Sequence, residues 1–486
     1  MYESTLLFIL KLTNLHINSR IKLTNLRIMI KIKMTNLGMV REMFQRKIYS
    51  KMLEWKKESE GKTALLIEGA RRIGKSTVAE YFAQNEYKSY ILIDFSKASK
   101  EVRELFEDVS DLDYIFLRLQ LIYKVDLHKR ESVIIFDEVQ LCPMARQAIK
   151  HLVADGRYDY IETGSLISIQ KNIKNILIPS EERKVSMFPM DFEEFLCALG
   201  DTSTSKILET VLEKKKALGD AAHRRLMRDF RLYMLVGGMP QAVATYIDTN
   251  NFRKVDEMKR DILKLYEEDF RKIDPTGRIS MLFEGIPSQL NTNASRYQVS
   301  SVLSGERADT ILEMIAEMVD SRTVQIAYHA NDPNVGLANA KDLRRFKLFL
   351  TDTGLLTTLI FKDKEFTENI IYEKLLSDKL GVNLGYVYEN AVAQILATNG
   401  HALYYYTFLN EKTKHNYEID FLLSKKNKIC PIEVKSSGYS THKSLDVFSE
   451  KYSDRILDKY MVYTKDLKKE NDILMLPIYM LPFVKG

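Results

Sequence analysis

The chain has 486 residues, 45% hydrophobic and 28% charged, a globular composition that excludes collagen-like sequence and long disorder and suggests about three domains. The net charge of +6 reads as a nucleic-acid footprint only until it is mapped: residues 1–40 hold Lys11, Arg20, Lys22, Arg27, Lys31 and Lys33 against Glu3, and the remainder is nearly neutral. Cys142, Cys197 and Cys430 are far apart with no CxxC, which argues against a disulfide framework or a cysteine-zinc site and predicts a reducing cytoplasm. Charges interrupt every window of about twenty residues, so no membrane span is expected, and Lys11, Arg20 and Lys22 break up any signal-peptide core.

Residues 1–40 repeat a Lys-Leu/Met-Thr-Asn-Leu unit at Lys11, Lys22 and Lys33, an eleven-residue period. That period suits a right-handed supercoil or a basic amphipathic arm for membranes or nucleic acid. An accessory extension, with Met34 or Met39 as the working initiator, fits as well. From Arg41 the pattern changes, and Phe44, Ile48, Met52 and Trp55 recur at helical spacing.

Strand-like and helix-like runs then alternate. They are Ala64–Ile67, a helix from Lys75 to Phe82, Tyr90–Ile93, helices over Glu101–Glu107 and Tyr114–Tyr123, Val133–Phe136, a helix over Met144–Ala154, and Tyr158–Ile161. Alternation of this length predicts a mostly parallel sheet covered on both faces. Residues 207–272 read as largely helical.

Between the first strand and its helix lie Gly69, Ala70, Arg71, Arg72, Ile73, Gly74, Lys75 and Ser76, a GxxxxGKS loop followed by Thr77. Its glycines let backbone N–H groups face phosphates, the helix N-terminus adds positive potential, Lys75 reaches the β- and γ-phosphates, and the Ser76 hydroxyl suits Mg²⁺. The apolar run Ser132–Phe136 ends in Asp137-Glu138, at the carboxyl edge where open α/β sheets bind ligands. Asp137 is expected to hold Mg²⁺ through water, and Glu138 to polarise the water that attacks the γ-phosphate. With the phosphate and metal strands read as neighbours, the strand leading into Glu162-Thr163-Gly164-Ser165 offers Thr163 or Ser165 as a polar contact to the γ-phosphate; a glycine-containing turn also needs such residues for its own hydrogen bonds.

In combination, GARRIGKS, IIFDEVQ, IETGSL, Arg183 followed by FPMDFEEF, YMLVGGMPQ (Tyr233–Gln241), EIDFLL and PIEVKSS resemble the AAA+-like P-loop ATPases of the archaeal-ATPase group, over residues 41–486. The resemblance implies ATP and Mg²⁺ as cofactors, a catalytic set of Lys75, Glu138, Thr163 or Ser165 and Arg183, and metal residues Ser76 and Asp137. Arg183 stands where such proteins often place an arginine finger acting on a neighbouring subunit, which would require a homo-oligomer; a solvated arginine in Glu181-Glu182-Arg183-Lys184 is equally compatible. The Gly237-Gly238-Met239-Pro240 turn is similar to the element that approaches adenine in related signalling ATPases, and a helix-breaking turn explains it too. No clear sensor-two arginine is evident.

Residues 282–361 look like a winged-helix module, with helices near Gln298–Leu303 and Asp309–Val319 and strands at Val324–Tyr328 and Phe346–Leu350. The second helix carries Asp309, Glu313, Glu317 and Asp320 and no cation, which favours a structural or protein-binding role over base readout. Further on, Glu389 lies in a predicted helix (Tyr386–Leu396), Asp420 in a strand (Tyr417–Leu423), and Glu433 and Lys435 on one face of the next strand. This set resembles the PD-(D/E)XK nuclease fold and implies carboxylates converging on one Mg²⁺. A surface hairpin with a paired Glu and Lys is the plainer reading.

The expectation is thus an α/β protein. It comprises a basic extension (1–40), a P-loop NTPase core with a parallel sheet (41–205), a helical lid (206–280), a winged-helix-like region (281–362) and a restriction-endonuclease-like C-terminal domain (363–486). The expected function is an ATPase coupled to a nuclease-like or adaptor domain, with DNA or a protein as target. The alternatives are a metal-dependent DNA nuclease with regulatory ATP, or a nucleotide-binding scaffold without turnover.

Overall fold

The computed structural model describes residues 43–164, 180–364, 372, 376, 385–410, 414–436 and 442–484, apart from Asn293 and Val335. The repeat in residues 1–40 and the candidate Ser165 lie outside the described residues.

The first sheet contains β1 (Ala64–Glu68), β2 (Ser89–Asp94), β3 (Ser132–Asp137), β4 (Asp159–Gly164) and β5 (Glu182–Ser186), all parallel, in the order β2-β3-β4-β1-β5. Every residue of β1, β3 and β4 is buried, while the edge strands β2 and β5 are only partly so. That difference follows from position: a central parallel strand is covered on both faces, so its sequence is an unbroken apolar run. The order also corrects one expectation. The phosphate strand β1 and the metal strand β3 are not neighbours, because β4 hydrogen-bonds to both.

Helix α1 (Ile48–Ser59) buries Ile48, Met52 and Trp55 at the expected spacing. Helix α2 (Lys75–Glu86) follows the phosphate loop, α3 is Leu112–Tyr123, and α4 (Pro143–Asp155) precedes β4. The helical part contains α5 (Asp220–Val236), α6 (Pro240–Thr249) and α7 (Phe252–Ile273). At the start of α7 the Asn251 side chain accepts from the N–H groups of Arg253 and Lys254, two of the donors a helix start leaves unpaired. Its buried residues Val255, Lys259, Ile262, Tyr266 and Phe270 recur every three or four positions, one helical stripe.

The second sheet is mixed and has eight strands, in the order β12-β13-β11-β10-β9-β8-β6-β7. They are β6 (Val324–Ala330), β7 (Lys341–Leu350), β8 (Leu403–Asn410), β9 (His415–Lys425), β10 (Lys428–Val434), β11 (Lys459–Tyr463), β12 (Lys468–Glu470) and β13 (Ile473–Pro477). The middle region therefore differs from the winged-helix expectation. Its helix α8 (Ala308–Asp320) forms, but the segment near Gln298–Leu303 makes only a short 3-10 turn, Val299–Ser301. Its two strands, β6 and β7, are not a separate wing: β6 pairs in parallel with β8, so a boundary at residue 362 cuts through one sheet. Strand β7 runs directly into α9 (Thr353–Ile360), and α10 (Gly385–Thr398) packs on β6, β7, β8 and β10.

The parts are joined by a close backbone crossing at Gly237-Gly238. The Gly238 carbonyl accepts from Met190 N–H (2.7 Å), and the Gly238 N–H donates to Asp352 Oδ2 (2.6 Å), while Asp352 Oδ1 caps α9 through Leu355 N–H. A Cβ on Gly238 would lie 2.0 Å from the Met190 carbonyl oxygen, a backbone atom that cannot swing away. Gly238→Ala is expected to destabilise the protein by about 3 kcal/mol or more, the upper range for overpacking, as read from the shift in denaturant midpoint. A wild-type midpoint would show that the crossing is loose.

Candidate functional site

The GxxxxGKS loop leaves β1 and enters α2 through Gly74, whose φ of 92° is left-handed and open to glycine without strain. Inside the loop, Lys75 is almost wholly buried, and its Nζ donates to the carbonyls of Gly69 (2.9 Å) and Ala70 (2.8 Å). Burial draws its ammonium down to about 8, against the upward pull of Glu138 and Asp137.

Three strand ends converge beside it. Ser76 Oγ donates to Asp137 Oδ1 at 2.6 Å, and Thr163 Oγ1 donates to the same oxygen. Thr163 reaches Asp137 because β4 is inserted between β1 and β3. Glu138 takes up a left-handed backbone (φ 54°), uncommon for a residue with a Cβ and concentrated at functional sites, and its Oε2 accepts from the Gln140 side chain. A hydroxyl and a carboxylate side by side are an oxygen donor pair of the kind Mg²⁺ takes together with phosphate oxygens and water.

The rest of the loop is held from three directions. Arg46 donates from Nη1 to the Ile73 carbonyl (2.8 Å), and its Nε pairs with Glu194 Oε1 (3.2 Å). Arg71 pairs with Asp269 of α7 (3.0 Å), and Tyr266 of α7 donates to the Arg71 carbonyl (3.0 Å). Pro240 Cγ comes within 3.8 Å of a Cβ built on Gly74, so the GGMP turn does approach the loop. Arg72 and Thr77 are exposed. Arg46, Tyr266 and Asp269 were missed in the sequence, where only their remote positions are visible.

Arg183 lies on the edge strand β5 opposite Leu65, and its guanidinium pairs with Glu58 of α1 (2.6 Å). Its own sheet directs it to α1.

The C-terminal acids are brought together in a different set from the one expected. Ligand oxygens of Glu389 on α10 and of Glu418 and Asp420 on β9 lie within 4.8 Å of one another. Glu433 is not in that group: its Oε1 pairs with Lys435 at 2.6 Å. The cation at the cluster is Lys347 of β7, with Nζ 2.9 Å from Glu389 Oε1 and 2.6 Å from Glu418 Oε1. Burial, then Glu389 and Glu418, pushes the Asp420 carboxyl well above its usual range, and the Val434 N–H (2.7 Å) pulls the other way. Glu418 was findable, since period two along β9 puts it on the Asp420 face. Lys347 was not, because two strands separate β7 from β9. Lys347, Glu389, Glu418 and Asp420 line a cavity of about 630 Å³, together with Arg345, Tyr297 and Tyr417.

Comparison with known families matches residues 61–196 to an AAA domain, 227–365 to a domain of unknown function (DUF8612) and 384–481 to another (DUF4143). No curated protein matches the chain. Among solved structures, the Thermotoga maritima RuvB Holliday junction branch migration motor is 14% identical, covers 58% of this chain and 89% of its own, and has a TM-score of 0.25. C. elegans PCH-2 is 11% identical, with 44% and 68% covered and a TM-score of 0.25. Protein VC1899 from Vibrio cholerae is 11% identical, with 86% and 95% covered and a TM-score of 0.17. Scores this low carry no argument. The matched family and the loop geometry together identify an AAA+-like P-loop ATPase domain with the capacity to bind ATP. Among the described residues, no helix is long and apolar enough to cross a membrane.

Proposed function

We propose that the chain is a Mg²⁺-dependent ATPase of AAA+-like type, working in the cytoplasm, whose nucleotide state is coupled to its C-terminal part. The observation that carries this reading is the 2.6 Å contact between Ser76 Oγ and Asp137 Oδ1 at the end of a GKS loop. The loop N–H groups and the start of α2 would receive the phosphates, Lys75 would pair with the β- and γ-oxygens, and Ser76 and Asp137 would hold the metal. Mg²⁺, when bound, offsets the charge that develops on the transferred phosphoryl group. Glu138 would take the proton of the attacking water, and Thr163, through Asp137, would orient the metal carboxylate. Lys75→Ala is expected to abolish ATP binding and phosphate release together; binding at wild-type strength would overturn the site.

Arg183 serves as a finger only in a homo-oligomer in which its pair with Glu58 opens. Mixing Arg183→Ala with Glu138→Gln chains tests this, and the absence of restored turnover in an assembled sample rules it out.

A second reading, a metal-dependent DNA nuclease with regulatory ATP, is favoured by the convergence of Glu389, Glu418 and Asp420. It keeps the PD-(D/E)XK resemblance of Glu389, Asp420, Glu433 and Lys435 as its motif. In that case Asp420→Ala removes DNA cleavage and spares ATP hydrolysis; with no cleavage by the unmodified chain, the C-terminal part is an adaptor for a DNA or protein target.

A further inference from the structure

The cradle of the phosphate loop is made by backbone N–H groups, so the side chain of Arg71 has no part in it. That guanidinium turns instead to the lid: its Nη1 lies 3.0 Å from Asp269 Oδ1 on α7, across 198 residues of chain, while the Arg71 carbonyl accepts from the Tyr266 hydroxyl one turn earlier on the same helix (3.0 Å). Backbone and side chain of one loop residue are thus held separately, the first by a buried phenol, the second by a carboxylate that is 16% exposed.

Lys75 shows how close this pair stands to the phosphates. Its Nζ rests on the carbonyls of Gly69 and Ala70, the two residues before Arg71. Besides burial and the pull of Glu138 and Asp137, the Lys75 ammonium is lowered by Arg71 and raised by Asp269, so both groups lie within electrostatic reach of the lysine that meets the β- and γ-oxygens. A negative charge placed at Lys75 is therefore attracted by Arg71 and repelled by Asp269. The two partners open to Arg71 are unequal. Its side chain is 36% exposed, and an ion pair so open to water is weak. A terminal phosphate carries more charge than a carboxylate and presents oxygens that a planar guanidinium meets in pairs. Asp269 keeps a counter-charge in the exchange, because Lys272 Nζ also lies 2.8 Å from its Oδ1.

We propose that the Arg71 side chain is a ligand of the terminal phosphate of ATP, that Asp269 competes with that phosphate for it, and that ATP in this way loosens the tie between the phosphate loop and the lid helix while ADP leaves it. The proposal rests on the ATPase reading and names the contact by which nucleotide state leaves the loop. By reciprocity, whatever factor the Arg71–Asp269 pair costs ATP in affinity, bound ATP costs that pair in strength. The tie leads onward through α7. Nearer the start of that helix, Lys259 Nζ donates to the Gly354 carbonyl in the first turn of α9 (3.1 Å), and α9 follows directly on β7 of the second sheet. Asp269 is a positioning residue in this scheme, and of the pair only Arg71 touches the nucleotide.

The test measures binding of a non-hydrolysable ATP analogue and of ADP, each with Mg²⁺, to the full chain by calorimetry. Asp269→Asn, which removes the competing charge and keeps the shape, should bind the ATP analogue more tightly than the unmodified protein, on the order of tenfold, with little change for ADP. Asp269→Glu, which restores the charge, should return to the unmodified values. Arg71→Gln should lose most of the preference for the ATP analogue over ADP, and adding Asp269→Asn to it should bring no gain. If Asp269→Asn does not fold, Asp269→Ser carries the same comparison. A merely structural pair would weaken both nucleotides alike in Asp269→Asn and in Arg71→Gln. That result, or a gain in Asp269→Asn that survives in the double variant, overturns the proposal and leaves the ATPase reading in place. No binding of either nucleotide by the unmodified chain overturns the ATPase reading itself and the proposal with it.

Discussion

Glu138→Gln is expected to leave ATP affinity close to wild type and to lower turnover by about two to four orders of magnitude, the range for loss of a general base. The amide matches the carboxylate in shape but cannot accept the proton of water. Glu138 touches neither Lys75 Nζ nor the loop carbonyls that bind it, so affinity should be preserved. Its carboxylate is held by the Gln140 side chain in a left-handed backbone, so its direction is imposed by the chain. Equilibrium binding of a fluorescent ATP analogue and phosphate release, measured on the same sample, check both halves. Wild-type turnover in the Gln variant would remove Glu138 from the mechanism and leave Asp137 as the nearest acid.

The second large effect is expected far from the nucleotide. Lys259 is fully buried in α7, with Nζ donating to the carbonyls of Leu235 (2.6 Å) and Gly354 (3.1 Å) and to the Tyr372 hydroxyl (3.1 Å). One turn earlier, the fully buried Asp256 accepts from Tyr372 (2.8 Å) and Thr358 (2.9 Å) and pairs with Arg260 (2.7 Å). Burial draws Lys259 down to about 8, with Asp256 and Asp352 opposing. Lys259→Met should cost about 3–5 kcal/mol, because it leaves the buried Leu235 and Gly354 carbonyls without their charged donor and removes a positive charge from the neighbourhood of Asp256 and Asp352. Denaturant unfolding measures the loss, and a change below 1 kcal/mol would mean that water enters and substitutes. The same helix carries Tyr266 and Asp269, which grip Arg71 at the phosphate loop, so its stabilised end and its nucleotide-facing end are one rigid element. We expect Tyr266→Phe to be mild, about 1 kcal/mol, since it removes a single hydrogen bond to a carbonyl.

The phosphate loop, the Asp137-Glu138 pair and the alternation of strands and helices were legible in the sequence because each is set by neighbours within a few residues. Glycine spacing, a strand-length apolar run and a helical stripe are local patterns, and the structure preserves them. Thr163 was also legible as a polar strand end, but the reason it meets Asp137 was not: strand order is a non-local choice, and only the folded sheet puts β4 between β1 and β3. The C-terminal site divides the same way. Glu389 and Asp420 stood out by their motifs, whereas Glu433 turned to its own neighbour Lys435, and its place went to Glu418 two residues before Asp420. Lys347 lies 42 residues from Glu389 and 71 from Glu418, in a segment whose local pattern suggested a separate winged helix. Nothing in the spacing of such residues records their meeting. It comes from the pairing of β6 with β8, which joins the two segments into one sheet and brings a buried ammonium to the acids that compensate it.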